Sequence, residues 1–139
     1  MEFEAGERKI REPIAEGVFY PSDPGRLEDE IRSGLSSSAV IADRASAIIA
    51  PYASYTYCGR YLASAYKSCA ARNIERVIIV GPCHRDPEPG VVVPESTGFR
   101  IPTGIVTVDQ DAVSLSLEAG ATLDDLPHLD EHSIDRKST

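Results

Sequence analysis

Leu27, Ile31 and Leu35 recur every four residues, a spacing that predicts a helix with one apolar face. Pro21-Ser22-Asp23-Pro24 ahead of it is turn chemistry, and Ser22 or Asp23 can cap the helix. Ser36-Ser37-Ser38 closes it as a short loop, and a strand or extended arm is expected upstream from Ile14 to Tyr20. Ser46-Ala47-Ile48-Ile49-Ala50 predicts a short buried strand bounded by Pro51. A helix follows from about Cys58 to Arg72, with Leu62, Ala65, Tyr66 and Cys69 on its inward stripe. Arg76 to Val80 is the clearest strand, a β-branched run ending in Gly81-Pro82. Strand, helix and strand in this order predict a βαβ unit with parallel strands and a right-handed crossover.

Beyond that unit the pattern shortens. Asp86-Pro87-Glu88-Pro89-Gly90 reads as a loop, Val91-Val92-Val93 as a short strand and Ile105-Val106-Thr107-Val108 as another. Asp109 caps an expected helix carrying Ala112, Val113, Leu115 and Leu117, which Gly120 stops. Neither an internal repeat nor a domain boundary is visible. The expected architecture is therefore one α/β domain over residues 1–139, a mostly parallel or mixed sheet with flanking helices.

Composition narrows the function classes. An apolar fraction of 42% and a charged fraction of 26% over 139 residues suit a globular chain. The formal charge of −8, with no basic stripe, argues against a nucleic-acid binder, because phosphate binding needs a cationic face. No apolar stretch is long enough to span a bilayer, and Met1-Glu2-Phe3-Glu4 lacks the regions of a signal peptide. Cys58, Cys69 and Cys83 are an odd set without close pairs, so a reduced, cytoplasmic protein is the expectation.

Candidate chemistry gathers at predicted strand ends, where ligands sit in open α/β sheets. His84 follows the Gly81-Pro82 turn and reads as a metal ligand or general base, or as a loop histidine bonded to nearby backbone. His128, Glu131 and His132 are closely spaced. On a helix the two histidines would share a face, and Glu131 or Asp135 would orient His132. The alternative is a solvated, fraying tail. Cys58 is placed near a helix N-terminus, where the macrodipole favours thiolate. Cys83 beside His84 raises a nucleophile pair, against the commoner role of a small buried thiol. Tyr52, Tyr55, Tyr57 and Tyr61 read as packing residues with wet hydroxyls, or as a stacking wall.

These segments together resemble the Memo-like protein family. Arg11 to Pro21 is similar to its R-x-P-x-x-A-G-x-F-Y-P, and Pro51 to Gly59 to P-H-A-G-Y-x-Y-S-G. Gly81 to His84 is similar to G-P-S-H, Pro102 to Asp109 to T-P-L-G-x-V-x-V-D, and Glu131 to Asp135 to E-H-S-I-E. The resemblance implies a fold like the N-terminal half of class III extradiol dioxygenases. It also implies a non-heme iron or copper site, with ligands at the first motif histidine, at His84 and at a downstream cysteine. A radical-SAM protein is the partner it implies in archaea and bacteria.

This chain departs from the pattern at telling places. Tyr52 occupies the family's first histidine position, and a neutral phenol with a pKa of about 10 is a poorer ligand than imidazole. Ser54 replaces a glycine, Glu16 an alanine, Cys58 a serine and Asp135 a glutamate, while Arg136 to Thr139 leaves the pattern. Family members are much longer. The chain therefore reads as a truncated or divergent member with a degenerate metal site, serving binding or assembly rather than catalysis. The alternative is a metal-dependent oxidoreductase of dioxygenase type, with His84 as ligand and His132 as second ligand or base. A Cys83-dependent hydrolase is a third reading. An incomplete sheet should leave an open edge or uncovered apolar face, which favours self-association or poor solubility.

Overall fold

Asp23 and Pro24 start the first long helix as their chemistry requires. The computed structural model describes residues 9–70, 73–84 and 90–135, and in it the Asp23 carboxylate accepts from the Arg26 amide at 2.7 Å. Helix α1 (Pro24–Ser37) follows, with Leu27 fully buried and Ile31 and Leu35 half-buried along the expected face. The expectations placed on residues 1–4, on Arg72, on the loop at 86–89 and on 136–139 lie outside the described residues.

The chain forms two compact units, Met1–Ile14 with Gly81–Thr139, and Ala15–Val80. In the Ala15–Val80 unit, α1 packs on helix α2 (Tyr55–Lys67). Their approach is close at Gly34, where an added Cβ would come within 3.2 Å of the Ala63 Cβ. The core gathers Ala15, Tyr20 and Leu27, with Phe19, Ile31 and Tyr55 packed against them. Tyr55 is thus a packing residue, its amide donating to the Phe19 carbonyl at 2.9 Å. At the far end of α2 the buried Ser68 hydroxyl accepts from the Ile41 and Ala42 amides at 3.2 Å, pinning the intervening loop.

Several expected elements of this unit take another form. Residues 14–20 do not make a strand: the Ala15 carbonyl accepts from both Val18 and Phe19, and Gly17 adopts a φ of +75°, which closes a turn. On α2 the buried stripe is Cys58, Leu62, Ala63 and Ala65, and Tyr66 beside it is 38% exposed. The runs at 46–50 and 76–80 lie outside any helix or strand. A β-branched sequence favours extended backbone, but a strand is defined by its ladder partner, and neither run has one among the described residues. Among the described residues the βαβ unit therefore keeps its helix and shows no parallel strand pair.

The other unit is a mixed α/β assembly of short strands and helices. Strands β1 (Ile10–Arg11), β3 (Gly98–Ile101) and β4 (Gly104–Thr107) form one sheet in the order β1-β3-β4. The β1–β3 pair is parallel, with Arg11 opposite Phe99, and β3–β4 is an antiparallel hairpin. β2 (Val92–Val93) pairs in parallel with β5 (Thr122–Leu123). Helix α3 (Gln110–Glu118) starts at Asp109, whose carboxylate accepts from the Ala112 amide at 3.0 Å. Ala112 and Val113 are half-buried on it, and Leu115 and Leu117 are exposed. Two short helices complete the unit, α4 (Leu126–Leu129) and α5 (His132–Asp135). No helix among the described residues is long and apolar enough to cross a membrane.

Candidate metal centre

Two histidines converge on one carboxylate at the end of the Gly81-Pro82-Cys83-His84 loop. Gly81 lets the loop approach α5, because an added Cβ would lie 2.5 Å from the Ser133 Oγ and 3.2 Å from the Ile134 Cγ1. Ser133 donates its hydroxyl to the Pro82 carbonyl at 3.2 Å and fixes the loop from the other side. His84 is thereby brought to Glu131. Its backbone N–H donates to Oε2 at 2.8 Å, and its Nδ1 lies 3.0 and 3.1 Å from the two carboxylate oxygens.

Glu131 is the organising group. It is buried, with a side-chain exposure of 5%, and also accepts from the Ser133 amide at 2.8 Å. Burial alone would push its pKa up. The N–H donations from Ser133 and His84 outweigh that and hold the carboxyl down at about 2. An ionised carboxylate only accepts, so it selects the His84 tautomer with the proton on Nδ1, and Nε2 then carries the lone pair. His132 Nδ1 stands 3.6 Å from the same Oε1, and the two imidazoles stack with centroids 5.0 Å apart and planes 25° from parallel. One atom from each of His84, Glu131 and His132 falls within 4.8 Å of the others, the one such grouping of His, Cys, Asp and Glu among the described residues.

The expectation that His128 and His132 share a helical face is corrected. The backbone breaks between α4 and α5 at Asp130 and Glu131, which puts the two histidines on separate short helices. The cause lies far away in sequence. Buried Arg11 on β1 donates Nε to the His128 carbonyl at 2.7 Å and Nη2 to the Glu131 carbonyl. Its guanidinium lies 3.9 Å from the Asp135 carboxylate and 5.2 Å from the Phe99 ring centroid. The His128 carbonyl also accepts from the Glu131 amide at 3.4 Å, a tight turn at the junction of the two helices. The reading of 128–135 as a solvated tail is also overturned, since Glu131, Ser133 and Asp135 are all buried. His128 is buried too, its Nε2 without a hydrogen-bond partner among the described residues, and burial pushes its pKa down.

The other candidates fall elsewhere. Tyr52 belongs to the Ala15–Val80 unit, in the segment before α2, and is exposed. Cys58 is buried in the first turn of α2, its thiol donating to the Ala53 carbonyl at 2.9 Å. Cys83 is half-buried beside His84 and stands outside the grouping of possible metal ligands. Tyr57 and Tyr61 are exposed on α2, with the Arg60 guanidinium 4.6 Å from the Tyr61 ring centroid. Sequence reasoning missed the clamp made by Arg11 and the support given by Ser133. The signal available was Arg11 heading the first motif, an Arg just before an expected extended segment. A second support, Asp125, accepts from the Glu95 and Ser96 amides, the Ser96 hydroxyl and the Lys9 ammonium. It fixes the start of α4.

Two imidazoles and a carboxylate are a donor set that suits a divalent first-row transition ion. The same arrangement also makes His84 a carboxylate-oriented base.

Comparison with known proteins gives this site a family context. The sequence model of the family described as Memo-like protein matches residues 11–137. Relatives include a MEMO1 family protein of Nitrosopumilus maritimus, 29% identical over 91% of this chain and 49% of the relative. A MEMO1 family protein of Desulfurococcus amylolyticus is 33% identical over 91% of this chain and 50% of its own length. Protein MEMO1 of Danio rerio is 36% identical over 72% of this chain and 34% of its own. The chain spans about half the length of the archaeal relatives and a third of the fish protein.

Proposed function

The chain belongs to the Memo-like protein family, and from that premise we propose that it is a metal-binding member whose site serves binding or assembly rather than turnover. The observation that supports this reading is the pair of stacked imidazoles, His84 and His132, set 5.0 Å apart against one ionised carboxylate. Glu131 spends its oxygens on the His84 and Ser133 donors, so its work is to orient His84 rather than to ligate. Two imidazoles are then the ligands supplied among the described residues.

A catalytic non-heme site needs three converging ligands and open positions. Tyr52, at the family's first histidine position, offers a phenol in place of an imidazole. A divalent ion, iron or copper by family likeness, would be held by His84 and His132 and would supply Lewis acidity there. The remaining work falls to this chain's own groups. Glu131 fixes the His84 tautomer, Ser133 fixes the loop, and Arg11 with Asp135 fixes the segment that carries His132.

Titration of the metal-free chain with Cu(II), and with Fe(II) under anaerobic conditions, tests the reading. The expected result is a single exchangeable ion per chain, lost on desalting, abolished by His84→Ala and by His132→Ala, and without oxygen uptake. Absence of any binding would sink the metal site. Oxygen consumption by the loaded chain that disappears in His84→Ala would replace the binding role with an oxidoreductase.

A further inference from the structure

The candidate metal centre is part of a coordination shell on an accessible face. His84 and His132 keep side-chain exposures of 35% and 31%, beside a Glu131 carboxylate that is 5% exposed. Glu131 accepts from the His84 and Ser133 amides and meets the His84 ring, so the imidazoles are the groups that would ligate. The rings stack 5.0 Å apart with planes 25° from parallel, which sets them side by side rather than facing each other across an ion. Imidazoles placed so take neighbouring positions of a shell. Among the described residues no further His, Cys, Asp or Glu joins this grouping. Copper and zinc held by nitrogen donors commonly take about four ligands, so two imidazoles fill about half of the shell.

We propose that two copies of this chain share one divalent ion, each supplying His84 and His132 to a shell of four imidazoles on a two-fold axis. This rests on the metal-binding reading above and says what the site assembles. A two-fold axis makes an interface isologous, so whatever one copy presents its partner presents too. The second copy therefore brings the same pair of imidazoles, held by its own Glu131 and Ser133. Charge ties the pairing to the ion. Each copy carries a formal charge of −8, which opposes association, and a shared cation offsets part of that repulsion where the two surfaces meet. A shell closed by four imidazoles keeps no position open for a substrate, which accords with assembly rather than turnover. The proportion of ion to chain decides the outcome: ion in short supply is shared, and ion in excess gives each chain its own.

The test is Cu(II) added stepwise to the metal-free chain, with its mass followed by analytical ultracentrifugation. At about half an equivalent the mass should rise about twofold over its metal-free value, and beyond about one equivalent it should fall back. The EPR spectrum of frozen samples should show nitrogen coupling from four imidazoles at the lower ratio and from two in excess copper, a readout that needs no variant. His84→Ala and His132→Ala should each abolish the rise in mass, with melting curves checking that both still fold. Copper bound without any rise in mass would overturn the shared ion and leave the metal-binding reading standing. No bound copper would remove both. A dimer that persists in excess copper, or that forms equally in either variant, would overturn the proposal in favour of an interface elsewhere on the chain.

Discussion

Arg11 and Asp135 are opposite charges buried in one unit, 3.9 Å apart with side-chain exposures of 3% and 2%. The guanidinium also holds the carbonyls of His128 and Glu131, and the carboxylate accepts from the Ile14 amide at 3.2 Å. Both ends of the candidate site's supporting segment therefore hang on this pair. Removing one partner of such a pair leaves a buried, uncompensated charge and costs about 3–5 kcal/mol. Asp135→Ala should accordingly lower the urea unfolding midpoint by that scale without changing the slope. An Asp135→Ala chain as stable as the parent would show that the pair carries no such weight.

Glu131 orients His84 through two different donors, a backbone amide and a ring nitrogen. Glu131→Gln keeps an acceptor oxygen of similar size and removes the charge. Loss of a carboxylate behind a metal-bound histidine commonly weakens metal affinity 10–100-fold. Copper titration of Glu131→Gln should show a drop of about that size, smaller than the complete loss expected for His84→Ala. Equal and complete loss in both variants would make Glu131 a ligand instead of a positioning group.

What the sequence made legible was local. The Asp23 cap, the Leu27-Ile31-Leu35 face and the Asp109 cap each act within a few residues, and each appears where its chemistry predicts. The family motifs likewise pointed to His84, Glu131 and His132, which the fold brings together. The runs at 46–50 and 76–80 misled, because β-branched content reports a preference and a ladder needs a partner from elsewhere. The spacing of four between His128 and His132 misled for a related reason. Arg11, more than a hundred residues upstream, binds the carbonyls of His128 and Glu131 where the two short helices meet. Periodicity sees neither interaction.

Acid should unfold this unit in two windows. Burial lowers the His128 pKa below its ordinary 6.5, so the unfolded chain binds the proton more readily. The His128 contribution is therefore complete above about 6.5 and is lost as pH falls below it. Glu131 is held at about 2 against an ordinary 4.5, so its contribution is present above about 4.5 and is lost as pH falls toward 2. Urea midpoints measured from pH 8 to pH 3 should fall first below 6.5 and again below 4.5. His128→Leu should flatten the first fall and Glu131→Gln the second. A parent chain whose midpoint stays level from pH 8 to 5 would contradict the burial of a neutral His128.

Gly81 ties loop geometry to metal binding, because it is the point where the loop carrying His84 passes over α5. A methyl group there would meet the Ser133 Oγ at 2.5 Å, a distance that forces movement, with Ile134 closing the other side at 3.2 Å. Small-to-large changes at a packed contact cost about 1–3 kcal/mol and shift backbone. The shift has one direction of consequence, since Ser133 donates both to the Pro82 carbonyl and, through its amide, to Glu131. Pushing Ser133 away should loosen the carboxylate and the His84 loop together. Gly81→Ala should thus lose stability on that scale and weaken copper binding in the same protein. Ser133→Ala, which removes the hydroxyl but keeps the amide donor, should cost less affinity. If Gly81→Ala bound copper as tightly as the parent, the approach of this loop to α5 would not set the position of His84.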